Sequence, residues 1–67
     1  MIEEGDRIEM VKMPHDPDPI TPGTRGTVMH VEQVRTDRPR TQLTVSWDNE
    51  RSLSVVIPPD HVRKVSA

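Results

Sequence analysis

One stretch in the second half of the chain alternates strictly between apolar and polar residues. Over residues 42–48, apolar side chains occupy every second position and polar side chains the positions between them. A repeat of two residues is that of a half-buried β-strand. The alternation resumes over residues 53–57, after a polar segment, 48–51, whose asparagine tolerates a left-handed backbone. This pattern predicts a β-hairpin.

Three further strands are predicted upstream and downstream of this hairpin. Residues 7–13 are predicted to form a strand with Ile8 and Met10 inward and charged residues between them, and residues 62–65 form a last short strand. Residues 27–34 carry a third strand, whose apolar spacing changes from even to odd between Val28 and Val31. Such a change of parity predicts a β-bulge or a sharp bend.

Prolines and charged residues separate these strands. The segment 14–19 contains three prolines, which cannot donate to a sheet, and it is predicted to be an extended, polyproline-like loop. Residues 35–40 form a polar loop, and residues 58–60 a tight turn or one 3₁₀ turn.

Five short strands in so short a chain predict one all-β domain over residues 1–67, an SH3-like barrel with a long proline-rich loop between its first two strands. Its core is built from the inward positions of all five strands. We expect it to contain Ile8, Met10, Val28, Val31, Leu43, Val45, Trp47, Leu53, Val55, Ile57, Val62 and Val65.

Two of the three glycines lie close together in the stretch PGTRGTV. Pro22-Gly23 matches the centre of a type II turn, in which glycine takes a positive φ. Gly26 lies where a strand begins, so it permits a sharp bend or the close approach of another strand. Arg25, between the two glycines, is a candidate contact for an anion.

Composition restricts the classes of function. The chain has 67 residues, no cysteine, one aromatic residue and a net charge of −2. Disulfides and thiolate metal sites are therefore excluded, and a dedicated nucleic-acid binder would be more basic. No apolar run reaches the roughly 20 residues of a membrane span, and no signal peptide is visible, so we expect a cytoplasmic protein without membrane contact.

Several elements of the chain resemble a family of small uncharacterised bacterial and phage domains. They are Gly5–Ile8, Pro22–Val28 (PGTRGTV) and Val45–Asn49 (VSWDN), followed by Ser52-Leu53. The resemblance covers nearly the whole chain. It implies an SH3-like β-barrel that is often encoded in phages and mobile elements, and it carries no established activity.

The Gly-x-x-Gly-x-Val portion, Gly23–Val28, is also similar to the KOW element of ribosomal and transcription-elongation proteins, which lies beside an RNA-contacting loop. Two departures from the small-domain family matter. The chain has Glu50-Arg51 where a glycine is usual, which leaves the hairpin turn type open. Its basic loop, 35–40, is longer, which gives either a contact surface or tolerated length.

The candidate contact residues fall into two groups. Arg35, Arg38 and Arg40, with Arg51 expected nearby, form a basic patch for phosphate or for an acidic protein surface. The second group is His15, Asp16 and Asp18 in the proline-rich loop, which could itself dock on another protein. Their spacing matches neither a zinc site nor a calcium loop, so no metal or other cofactor is expected.

No sequence signature of catalysis is present, and a barrel of this size is filled by its own side chains, so we do not expect an enzyme. The usual SH3 ligands are excluded as well. Proline-rich peptides dock between aromatic rings and methyl-lysines in aromatic cages, whereas Trp47 is the only aromatic residue and is predicted to face inward.

The leading hypothesis is therefore a non-catalytic binding or accessory module that contacts an as yet unidentified protein. The alternative is KOW-like binding of RNA or DNA through Arg25 and the basic loop 35–40. A homodimer formed through an unpaired strand edge, or through exposed Met29 and Val56, is left open.

Overall fold

The computed structural model describes residues 2–65, and these form a single antiparallel sheet of five strands. The strands are β1 (Arg7–Lys12), β2 (Arg25–Val34), β3 (Arg40–Trp47), β4 (Val55–Ile57) and β5 (His61–Val65). Their spatial order is β4-β3-β2-β1-β5. The prediction of a five-stranded all-β domain is confirmed. The predicted range 1–67 also includes Met1, Ser66 and Ala67, which lie outside the described residues.

The sheet is not closed into a barrel, because β4 and β5 are its two edges and do not pair with each other in the described part of the chain. At the β4 edge, the hydrogen bonds of Val56 explain why no further strand pairs there. The Val56 amide donates to Asp60 Oδ2 (3.1 Å), and the Val56 carbonyl accepts from the Asp60 amide (3.0 Å). Both backbone groups that a further strand would need are therefore already bonded.

The β2–β3 hairpin contains the predicted bulge. Val28 lies opposite Val45, but the next pair is His30 opposite Thr44, so Met29 is the extra residue. The Met29 side chain is 56% exposed, because the bulge turns it away from the core.

The hairpin of β3 and β4 is confirmed, with a shorter second strand than its alternation suggests. Beyond Val55, only an isolated Ser46–Ser52 bridge continues the pairing. The Leu53 carbonyl accepts a hydrogen bond from the indole Nε1 of Trp47 (3.0 Å), so it bonds to a side chain and not to the backbone of a neighbouring strand. Glu50, and not the neighbouring asparagine, takes the positive φ of the turn (68°).

The core surrounds the indole, as predicted. Trp47 is 2% exposed. The buried residues are Ile8, Met10, Met13, Ile20, Val28, Leu43, Val45, Trp47, Val55 and Val62. Three more of the expected core residues, Val31, Leu53 and Ile57, are partly buried against them, and Val65 is likewise partly exposed.

Two core residues, Met13 (6% exposed) and Ile20 (1% exposed), are absent from the predicted core and come from the connection between β1 and β2. This connection is not one extended run. It turns at residues 13–16 and again where the Asp18 amide donates to Asp16 Oδ1 (2.8 Å). The turns return both apolar side chains to the core.

Each of the two clustered glycines has the predicted structural role. Gly23 has φ = 93°, and the Thr24 amide donates to the Thr21 carbonyl (3.0 Å), as a type II turn requires. At Gly26, a Cβ atom would lie 2.8 Å from Val45 Cγ1 and 2.9 Å from Trp47 Cε3. Only glycine lets β2 approach β3 so closely here.

Candidate binding surface at the tip of the β2–β3 hairpin

The basic loop predicted at residues 35–40 lies at the tip of the β2–β3 hairpin and is exposed. Thr36 holds it in shape, because its Oγ1 accepts from the Arg38 amide and donates to the Arg38 carbonyl, each at 3.2 Å. The arginine side chains are thus presented from a turned loop and not from a free strand.

Two prolines from elsewhere in the chain complete the surface. Thr41 lies opposite Ile57 in the β3–β4 pairing, so Pro58 and Pro59 follow directly beside the end of the loop. An open cavity of about 260 Å³ is lined by Arg38, Pro39, Arg40, Pro58 and Pro59. We call residues 35–40 together with Pro58 and Pro59 the tip surface.

The arginines of the tip surface and Pro39 are visible in the sequence as one loop, whereas Pro58 and Pro59 are predicted only as part of a turn. The signal that could have found them is the predicted hairpin itself. Extending its register to residue 57 places the diproline beside residue 40. The local sequence around Pro58 and Pro59 does not by itself indicate that these prolines line a cavity.

Ion pairing distinguishes the tip arginines from the other arginines. Elsewhere, each arginine has a carboxylate partner within 4 Å: Arg7 with Asp48, Arg25 and Arg63 with Glu9, and Arg51 with Asp18. Among residues 2–65, no ion pair includes Arg35, Arg38 or Arg40, although Asp37 lies in the same loop. The tip surface therefore concentrates uncompensated positive charge on a chain of net charge −2.

Two of the candidate arginines lie away from the tip surface. Arg25 begins β2 and Arg51 follows β3, so both are at the opposite end of the hairpin. The ten residues of β2 span about 30 Å at roughly 3.3 Å per residue. The expected neighbourhood of Arg51 and the basic loop is therefore wrong, and Arg25 cannot share one small ligand with that loop.

Arg25 is also engaged on the exposed face of the sheet. Glu9 lies between Arg63 of β5 and Arg25 of β2 in the strand register. Its two oxygens accept from Arg63 Nε (2.8 Å) and Arg25 Nε (3.1 Å). These hydrogen bonds, that of Arg63 first, hold the pKa of Glu9 below its ordinary value of 4.5.

A second ion pair, between Arg7 and Asp48, lies near the pairs that Glu9 makes. Arg7 Nη1 donates to Asp48 Oδ1 (2.9 Å) and to Thr27 Oγ1 (3.0 Å). The hydrogen bond from Arg7 lowers the pKa of Asp48. Both charges are therefore used within the sheet, and this face offers little free charge to a ligand.

The candidate residues of the β1–β2 connection are engaged with one another and with Arg51. Asp16 accepts from the Asp18 amide, and Asp18 pairs with Arg51 (3.4 Å), which also donates to the Pro19 carbonyl (3.4 Å). Within the described range, no three side chains of metal-binding type gather. Asp18 and Arg51 are brought together and neutralise each other, while His15 is exposed.

A second cavity, of about 270 Å³, lies where the hairpin extends past the core. It is lined by Ile2, Gln33, Thr41, Leu43 and Ile57. Its polar pair is satisfied internally, because Thr41 Oγ1 lies 3.0 Å from Gln33 Oε1 and donates to it. None of these five lining residues carries a charge that would orient a ligand.

The fold and these surfaces define a small all-β domain whose arginines without an ion pair, among the described residues, are gathered at one hairpin tip. The described residues include no helix long and apolar enough to cross a bilayer. The chain belongs to the family described as "Domain of unknown function (DUF4314)", whose family model matches residues 2–65. No curated protein and no solved structure matches the chain. Membership of a small uncharacterised domain family is thus confirmed, and the KOW-type similarity stays a prediction.

Proposed function

We propose that this protein is a non-catalytic binding module that holds an acidic segment of a partner protein at the tip surface. The observation that carries the proposal is the open cavity between Arg38, Arg40 and the three prolines. Its two guanidinium groups have no carboxylate partner among the described residues, whereas the arginines elsewhere are paired.

The chemistry of this surface suits a carboxylate ligand. Guanidinium groups bind carboxylates through two parallel hydrogen bonds. They are weakly hydrated, so removing their water on contact costs little free energy. Prolines have no backbone N–H to leave unsatisfied and are already rigid, so ordering them costs little entropy. A partner with exposed aspartate or glutamate would therefore find a prearranged site.

A protein ligand is favoured over nucleic acid by three observations. The net charge is −2, and counterion release from a few arginines gives limited affinity for a polyanion. The only aromatic residue is buried, so no base can stack on it. Arg25, which the nucleic-acid alternative requires, is bound to Glu9 at the far end of the hairpin.

We further propose that the open sheet is a version of the SH3-like barrel. This rests on the family resemblance and on the order of strands, a four-strand meander with β5 beside β1. The aromatic groove of SH3 domains has no counterpart, since the only aromatic residue lies in the core. The carriage of this domain by phages or mobile elements belongs to the same proposal and rests on the resemblance alone.

The experiment is an NMR titration of the ¹⁵N-labelled protein with an octa-glutamate peptide and, separately, with octa-uridylate RNA. We expect the peptide to shift the amide signals of residues 35–38, Arg40, Thr41 and Asp60, and we expect salt to weaken the effect. The double variant R38Q/R40Q should lose the shifts, and the matched control R25Q should keep them. No shift at low salt, or an unchanged response of R38Q/R40Q, would refute the proposal; stronger binding of the RNA would favour nucleic acid.

A further inference from the structure

The residues that line the tip cavity indicate the type of ligand more narrowly than its charge alone does. Beside Arg38 and Arg40, the residues that line it are all prolines: Pro39, Pro58 and Pro59. The cavity has a volume of about 260 Å³. A ring-sized side chain therefore fits, and the cavity is open enough to admit it from solvent.

Proline rings and arginine side chains share a preference for flat aromatic partners. Proline-binding modules place aromatic rings against prolines, so a surface that presents prolines is complementary to an aromatic ring. Arginine adds a cation–π contact to the face of the same ring. This protein has no exposed aromatic residue of its own to occupy the site from within, since Trp47 is in the core.

From this juxtaposition we infer that the tip surface recognises a partner segment in which an aromatic residue is flanked by acidic residues. The aromatic ring packs on the three prolines, and the neighbouring carboxylates bind the unpaired guanidinium groups of Arg38 and Arg40. The roles of an SH3 domain and its ligand are thereby exchanged: the domain supplies the prolines and the partner supplies the ring. This inference rests on the proposed function, because it specifies the ligand of the same surface.

An acidic aromatic peptide fits better than a nucleotide strand. One ring and one or two carboxylates match one small cavity and its two arginines. A single-stranded nucleic acid gains affinity by stacking successive bases and by tracking phosphates along a basic groove. Here the next arginines along the hairpin, Arg25 and Arg51, are about 30 Å away at the far end of β2 and already paired.

The test uses three fluorescein-labelled peptides of equal length with capped termini, measured by fluorescence anisotropy against the full chain. The peptides carry the cores Glu-Glu-Trp-Glu-Glu, Glu-Glu-Leu-Glu-Glu and Gln-Gln-Trp-Gln-Gln between Gly-Ser flanks. We expect the acidic tryptophan peptide to bind roughly three- to tenfold more tightly than the leucine peptide. The uncharged tryptophan peptide should bind more weakly than both.

Variants connect this preference to the cavity. R38Q/R40Q should weaken both acidic peptides, whereas P39A should remove the preference for tryptophan over leucine and leave residual binding of both. R63Q, which neutralises a paired arginine on β5, should bind like the original chain. Circular dichroism of each variant should show the spectrum of the original chain if the fold is kept.

The outcomes separate the inference from the proposed function. Equal binding of the tryptophan and leucine peptides, still dependent on the tip arginines, overturns the aromatic preference and leaves the acidic-segment function standing. Absence of binding by either acidic peptide overturns both. Octa-uridylate RNA displacing the acidic tryptophan peptide at lower concentration than unlabelled peptide also overturns both.

Discussion

Replacing Gly26 with alanine tests the close approach of β2 to β3. The added Cβ atom would lie 2.8 Å from Val45 Cγ1, 2.9 Å from the Ser46 carbonyl oxygen and 2.9 Å from Trp47 Cε3. All three contacts are shorter than van der Waals distance. Two of the neighbours are core side chains, and the third is backbone of the strand that pairs with β2.

The expected cost follows from how little these atoms can move. Forcing an extra carbon atom into a packed core costs about 1–3 kcal/mol, and a fixed carbonyl oxygen places Gly26→Ala near the upper value. Stability of about 0.05–0.15 kcal/mol per residue gives this chain about 3–10 kcal/mol in total. A loss of about 3 kcal/mol lowers the melting temperature by roughly 12–24 °C in a domain of this size.

The assay is thermal and urea unfolding followed by far-UV circular dichroism, because Trp47 fluorescence would also report the local contact. Gly23 supplies the matched control: it has φ = 93°, and a Cβ atom added there would have no neighbour within 4 Å. Gly23→Ala should therefore cost only about 1–2 kcal/mol, the cost of a left-handed backbone.

Asparagine distinguishes the two causes. At Gly23, Asn should be tolerated better than Ala, because asparagine adopts a left-handed backbone more readily. At Gly26, Asn should be worse than Ala, because the limit there is space. If Gly26→Ala unfolds no more easily than Gly23→Ala, or if Asn is preferred at both sites, the close approach of β2 and β3 is not what requires Gly26.

Three further predictions concern single hydrogen bonds and charges. The free energy of unfolding should fall as the pH drops through and below about 4.5. Hydrogen bonds from two arginines depress the pKa of Glu9 in the folded state, so the unfolded state binds protons first. Urea unfolding between pH 7 and pH 3 measures this dependence, and E9Q should make the plot of stability against pH less steep. Asp60→Ala should cost about 1–2 kcal/mol, since the Val56 amide loses its acceptor, whereas Asp60→Asn should cost less in the same assay. Trp47→Phe should destabilise the protein by about 2 kcal/mol or more, because it leaves the Leu53 carbonyl without its donor and opens space in the core, as measured by calorimetry.

Each of these three has a result that would contradict it. An E9Q curve as steep as that of the original chain would mean that other carboxylates, Asp6 and Asp48 among them, carry the acid sensitivity. Equal stability of the alanine and asparagine variants at position 60 would show that the side-chain acceptor does not hold the β4 edge. A Trp47→Phe variant as stable as the original would show that the indole N–H makes no net contribution.

The candidate site was predictable only in part. Arg35, Arg38 and Arg40 are visible as a cluster because they lie within one short loop. Their lack of carboxylate partners among the described residues is not visible, since pairing depends on which strands become neighbours. Glu9 and Arg63, for example, are 54 positions apart and meet only because β5 lies beside β1.

The prolines of the tip cavity are a similar case. Pro58 and Pro59 meet residues 38–40 through the register of β3 and β4, whose Thr41–Ile57 pair fixes the alignment. A shift of that register would move the diproline away from the arginines without changing any local pattern. The site is therefore a property of strand pairing.

The sequence by itself determined the local features of this protein: the faces of the strands, the irregularity between Val28 and Val31, the turn at Gly23 and the inward position of Trp47. These follow from the two-residue repeat of a strand and from the backbone angles that each residue type allows. Tertiary structure alone decided that Met13 and Ile20 close the core, that Asp60 occupies the β4 edge, and that the tip arginines stay unpaired within the described range. Those outcomes depend on contacts between segments that are distant in the chain. The free energy of such contacts comes from side-chain packing and strand pairing, which produce no periodic pattern in the sequence.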